Sequence, residues 1–393
     1  MNRSARSISV KRRRLALTGI VGYLAAAIFL SVAQQASAEV DDGMRAFLAE
    51  MPKAELHLHI EGSIDPETVV EISNRNDLDY FRTVDEIRES LAARPPGLMG
   101  FLEHHYKLQN VMQTRQDFYD ATFSLIRNLH ENNVIYTDLF FDPQAHTSRG
   151  IAFDEMFDGI DSARRDAEEA FGITVNLIMC IQRERSVESA FEMLDQAYPF
   201  RDRIIGLGMD SGPEYGNPPV KFRDVYARAR EEGYFLTGHH DVDVRDSLVH
   251  IRQSLEIIGM DRIDHGLNAS DDPDLMADLV RRDMCLTGSP VKRTTDPAPQ
   301  DVDRIATLDD AGVCVSLNTD DPEEFESGYL TNMLILFQEA SGYSRADMTR
   351  LMWNAFRAVW LPEPEKEALV TELREYAEQN GVDWSEVVAG PAL

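Results

Sequence analysis

Four short stretches of this 393-residue chain carry side chains able to bind metal ions or move protons. Glu55-Leu56-His57-Leu58-His59 sets two imidazoles two residues apart, and on an extended strand such a pair shares one face. Gly238-His239-His240-Asp241-Val242-Asp243 offers two more histidines and two acids. Asp264-His265-Gly266 and Asn318-Thr319-Asp320-Asp321-Pro322 complete the set. Neutral imidazoles with carboxylates suit zinc and similar divalent ions. A lone His-x-His is common by chance. Histidines and acids at four separate strand ends are hard to explain as core residues, because buried unpaired charge is expensive. Binding of a divalent metal ion is the chemistry that fits them.

Positioning these residues falls to a regular alternation of elements. Short apolar, β-branched segments alternate with longer helical patterns, which predicts parallel strands covered by helices. The strand candidates are Ala54–Ile60, Val134–Phe141, Ile173–Ile181, Ile204–Met209, Tyr234–Gly238, Arg262–Asp264, Met284–Thr287 and Val313–Asn318. Eight strands predict an α/β fold of the TIM-like (β/α)8 kind, whose chemistry sits at the C-terminal strand ends. Helices are expected at Val187–Tyr198, at Arg345–Trp360 behind a Ser344-x-x-Asp347 capping box, and from Pro364 to about Gln379. Asn76 to Thr114 breaks the rhythm and inserts Phe101-Leu102 and His104-His105 after the first strand. This inserted helical segment reads as a lid over the site or as a packing excursion.

With those elements in place, Pro52-Lys53-Ala54-Glu55-Leu56-His57-Leu58-His59-Ile60-Glu61-Gly62-Ser63 resembles the opening motif of the adenosine/adenine deaminase family. Arg262-Ile263-Asp264-His265-Gly266 and Asn318-Thr319-Asp320-Asp321-Pro322 resemble two more of its motifs, in order, so the likeness spans nearly the whole chain after the leader. Asp264 before His265, Gly208-Met209-Asp210-Ser211 with Gly216-Asn217-Pro218-Pro219, and Phe325 with Gly328-Tyr329 lean toward the adenine deaminase branch. The resemblance implies that His57, His59 and Asp320 hold one divalent metal, usually zinc, with one of His239 and His240 as fourth ligand. It implies that His265 orients the attacking water and helps remove its proton. Asp321 would bond a ring nitrogen, Gly208 would lie against the ring edge, and Asp210 would belong to the substrate pocket. The implied reaction is hydrolytic removal of an exocyclic amino group from adenine, adenosine or a related aminopurine.

Three departures accompany the likeness. The family's fifth-strand motif is His-Ala-Gly-Glu, whose glutamate protonates the ring. With His239 as ligand, favoured by the Thr-x-His pattern from Thr237, that position holds Val242. With His240 as ligand it holds Asp243, one methylene short. The reading adopted makes His239 the ligand and Asp243 or Asp241 the acid. Lys292-Arg293 stand where the family places Ser-Asn, and the loop Asp210–Tyr215 is one residue longer. Two further readings are an exported metal- or purine-binding protein without turnover, and a metal hydrolase with a different amine or amide substrate.

The first 38 residues read as a leader: six basic residues and no acid, an apolar run from Leu15 to Ala33, then Ala36-Ser37-Ala38. Cleavage there predicts an exported protein, periplasmic or secreted, with one domain over 39–393; an uncleaved leader would be a membrane anchor. Losing six basic residues moves the net charge from −29 to −35. Such a surface repels nucleic acid and anionic membranes and suits a small neutral or cationic ligand. A helix-rich barrel exterior permits a homo-oligomer without specifying one. Cys180, Cys285 and Cys314, an odd count in core-like segments, are expected to be buried free thiols.

Overall fold

The structure is a computed structural model and describes residues 41–241, 245–291 and 299–390. The leader, Val242, Asp243 and Lys292-Arg293 lie outside the described residues.

Eight parallel strands form a TIM-like barrel: β1 Lys53–His59, β2 Val134–Phe141, β3 Thr174–Gln182, β4 Gly206–Asp210, β5 Phe235–Leu236, β6 Ile263–Asp264, β7 Cys285–Gly288 and β8 Cys314–Leu317. They pair as two runs, β1 to β5 and β6 to β8. Two single bridges join the runs, His239 with Asp264 and Leu58 with Asp320. Helices cover the strands on the outside, so both faces are buried and β1 is inaccessible along its whole length. Alternation sends Leu56 and Leu58 into the outer core, and Glu55, His57 and His59 to the opposite face. A small cluster of Phe140, Ile178, Cys180 and Trp360 packs apart from that core. Phe140 meets the rings of His57 and His59 at 5.1 and 4.9 Å between centroids.

The predicted β2 matches end for end, and the capping box at Ser344 opens helix Arg345–Arg357. The expected strand Tyr234–Gly238 keeps only Phe235 and Leu236 as regular ladder. Between β1 and β2 run helices Pro66–Arg75, Val84–Ala92, Leu98–Gln109 and Arg115–Glu131. The thiol expectation needs correction. Cys180 is free and buried, but Cys285 and Cys314 form a disulfide. The parallel register of β7 and β8 sets them directly opposite, with Cα atoms 4.5 Å apart. Cysteine count and local burial carry no information about that register.

Candidate active site

The strand ends bring four groups together. His57, His239, His265 and Asp320 each offer a ligand atom, all within 4.8 Å of one another, and His59 borders the same space. His57 Nε2 lies 3.3 Å and His59 Nε2 3.5 Å from Asp320 Oδ1, while His265 Nε2 lies 3.7 Å from Oδ2. His59 Nε2 and His239 Nε2 face each other at 2.9 Å. Backbone geometry is spent on this convergence: Asp320 and His265 have φ of 64° and 56°. Left-handed backbone at such residues costs on the order of 1–3 kcal/mol and is typical of functional sites.

Burial holds His57 and His239 well below the ordinary imidazole range, with Arg262 adding to the effect at His57 and the neighbouring imidazoles at His239. Burial brings His59 down to about 3. Neutral imidazole is the form that binds metal. Asp264, under the cluster, fixes the tautomer of His57 through Thr287. Thr287 Oγ1 donates to Asp264 Oδ1 at 3.0 Å and lies 3.0 Å from His57 Nδ1. With its hydrogen committed to Asp264, Thr287 accepts from His57 Nδ1–H, leaving the Nε2 lone pair aimed at Asp320. His57 Nε2 is buried and has no hydrogen-bond partner. Asp264 Oδ2 takes the Thr237 hydroxyl at 2.7 Å and lies 3.7 Å from His239 Nδ1. Burial lifts Asp264 to about 6, against the pull of Arg262 and the two hydroxyls. Converging imidazoles and a carboxylate, with His57 Nε2 buried and unpartnered among them, are a donor set that fits a divalent ion.

Above the cluster opens a cavity of about 470 Å³. Asp142, Asp210 and Asp321 line it, together with Pro96, Leu98, Phe101, Leu102 and His105 of the insertion. The inserted segment therefore forms the lid wall. Phe101 stacks on Phe325 at 5.0 Å, and His105 Nδ1 lies 3.3 Å from Glu324. Asp321 is pushed well up by burial and then by Asp320, and its Oδ1 has no partner. A side chain at Gly62 would fall inside the Asp321 carboxylate, so glycine is required for that close approach.

The other expected residues are placed as follows. His240 turns away from the cluster toward Glu214, with Nδ1 3.7 Å from Oε1. Asp241 is not a cavity wall: its oxygens accept the Ser247 hydroxyl and, at 2.9 Å, the Asn268 N–H. Gly208 packs beneath the cavity, where a Cβ would sit 2.7 Å from Cys180 Sγ. Asp210 lines the cavity beside Asp142, with a carboxylate oxygen of each within 4.8 Å of the other. Burial raises both, Asp210 further through Asp142, and Asp142 to about 6 with help from Glu61. Sequence reasoning missed Asp142, though it follows β2 directly, the position already used to pick out the other acids. It also missed Thr237, Thr287 and Gly62, whose roles depend on distant partners.

Comparison with known proteins decides the family. The adenosine deaminase family model matches residues 52–376. The chain belongs to the adenosine deaminase family. It is a hydrolytic deaminase, as its members are. An adenine deaminase from Geotalea uraniireducens is 39% identical over 340 residues, 85% of this chain and 94% of the relative. The crystal structure of an adenine deaminase from Arthrobacter aurescens superposes with a TM-score of 0.75 at 32% identity, covering 84% of the deaminase chain and 99% of its own. A zinc-bound amidohydrolase structure from Burkholderia ambifaria gives 0.79 at 25% identity, covering 89% and 98%. Both named deaminases act on adenine, and the family and the histidine–aspartate cluster support a divalent metal in this chain.

Proposed function

We propose that the deaminase removes the exocyclic amino group of adenine, adenosine or a closely related aminopurine, using zinc held by His57, His59, His239 and Asp320. One observation carries this reading: neutral imidazoles and Asp320 converge at the floor of a cavity whose side wall holds carboxyl groups raised toward their protonated form. A divalent ion there supplies Lewis acidity and a water acidic enough to react near pH 7. His265 takes the proton as the water oxygen adds to the amine-bearing carbon. The neighbouring Asp210 and Asp142 carboxyls deliver a proton to the ring nitrogen, in place of the acid sought at Asp241 or Asp243. Asp321 fixes a second ring nitrogen. Return of the proton from His265 to the amine releases ammonia, and the added hydroxyl gives its own proton back to the Asp210–Asp142 pair as the ring carbonyl forms.

Ammonia release by the purified, zinc-loaded protein across adenine, adenosine, other aminopurines and unrelated cyclic amidines tests this. Release is expected from one or a few aminopurines. Silence from folded, metal-containing protein favours binding without turnover, and release only outside the purines favours a different hydrolase.

We further propose export after cleavage at Ala38. The charged and apolar pattern of the leader supports it, as does the Cys285–Cys314 disulfide, a bond that persists in oxidising compartments. Among the described residues no helix is long and apolar enough to cross a membrane.

A further inference from the structure

Three features of the sequence play no part in the proposed chemistry: Glu214 of the lengthened loop, the second histidine of the His239-His240 pair, and a charged residue just past β3. They meet at one buried point. Arg183 is fully buried. Its Nε donates to the Asp210 carbonyl at 3.1 Å, its Nη2 donates to the His239 carbonyl, and its backbone N–H reaches the Asp210 carbonyl at 3.2 Å. Its Nη1 lies 3.8 Å from Oε2 of Glu214, which the lengthened loop delivers. Glu214 Oε1 lies 2.6 Å from His250 Nδ1 and 3.7 Å from His240 Nδ1. Lys221 Nζ caps the Arg183 carbonyl at 2.7 Å.

This assembly stands where regular structure ends. The β4–β5 ladder pairs only Gly206 with Phe235 and Leu207 with Leu236. Beyond it, His239 is tied to β4 by one backbone bond, its N–H to Met209 at 2.8 Å. The His239 carbonyl would otherwise be a strand-end acceptor with no ladder partner, and a buried one must be satisfied. A guanidinium suits this position, because its donors diverge in a rigid plane and bridge two carbonyls at fixed separation, which an ammonium cannot.

We propose that Arg183, held by Glu214, is a positioning residue that sets the metal ligand His239 and the cavity acid Asp210 in register across β3, β4 and β5. The proposal rests on His239 being a metal ligand, the reading given above. Arg183 touches neither metal nor substrate and acts through the backbone of residues that do. The longer loop has a purpose in this scheme, because it carries the counter-charge the buried guanidinium requires. His240, adjacent to a ligand but turned from the metal, belongs to the clamp.

The test measures zinc affinity by competition with a chelator, alongside melting of the metal-free protein, for wild type, Arg183→Met and Arg183→Lys. Arg183→Lys keeps the charge but cannot span both carbonyls. It is expected to weaken zinc binding by at least about tenfold, the usual cost of losing an outer support of a ligand, with Arg183→Met weaker still. Supporting this, kcat at saturating zinc should fall while excess zinc restores occupancy. If Arg183→Met does not fold, Arg183→Lys decides alone. Zinc affinity of Arg183→Lys reduced by less than tenfold overturns the proposal, whatever its melting temperature, and leaves Arg183 a structural residue. A wild type that binds zinc tightly yet releases no ammonia would remove the deamination reading and leave the clamp standing.

Discussion

A carboxyl group serves as an acid only where ligand can reach it and only if it holds a proton at working pH. Asp210 and Asp142 meet the first condition by lining the cavity, and burial together with their closeness raises both toward the protonated form the second requires. Asp241 fails the first, with both oxygens already taken. Asp210→Asn should therefore lower kcat by roughly 10²-fold or more, the usual worth of a general acid, while zinc content holds. Asp241→Asn should lower it far less. The reverse ranking, read from steady-state kinetics on both variants, would return the role to the fifth-strand turn. At this scale the sequence revealed the ligand types and the strands that carry them, because His-x-His and the paired aspartates are local patterns. It could not choose between His239 and His240. That choice depends on which imidazole faces Asp264 and which faces Glu214, and those partners are 25 and 26 residues away in the chain.

The inserted lid depends on a charge contact of its own. Although burial opposes its charge, His105 is held up to about 10 by Glu324, Asp321 and Asp142. Glu324 is likewise pulled down to about 2, mainly by His105, against its burial. The sign follows from linkage. A raised histidine contributes stability that is whole below its ordinary 6.5 and lost as pH rises through about 10. A depressed glutamate contributes stability that is whole above its ordinary 4.5 and lost as pH falls toward about 2. Amide exchange in helix Leu98–Gln109, corrected for intrinsic rates, should be slowest between those two ordinary values and quicken from pH 7 toward 10. Constant protection over that range would mean that Phe101 on Phe325 holds the lid without the ion pair. The sequence showed the insertion as a break in rhythm. It could not show a lid, because the contacts that make it one are with the turn after β8, more than 200 residues on.

For the whole molecule, alternation of strand and helix patterns carried the barrel, and the shortness of β5 escaped because where a ladder ends is set by pairing with the neighbouring strand rather than by side-chain character. The disulfide escaped too, since strand register is a property of the assembled sheet. Export and oxidation make one joint expectation. Protein recovered from the exported fraction should begin at Glu39 and, once denatured, show one titratable thiol, Cys180. Three thiols with the leader still attached would sink both halves of it.

The two runs of strands meet at only two seams, and the proposed ligands flank both. His57 and His59 end β1 and Asp320 follows β8, while His239 follows β5 opposite Asp264 of β6. At each seam the ladder shrinks to a single bridge that involves a ligand or its immediate neighbour. A cation gripping all four would act as a rivet through both edges of the sheet, so the proposed metal centre would double as the fastener of the barrel. Emptying it would then loosen the whole cylinder along two lines, and the protein would lose its shape at the same places where it loses its chemistry.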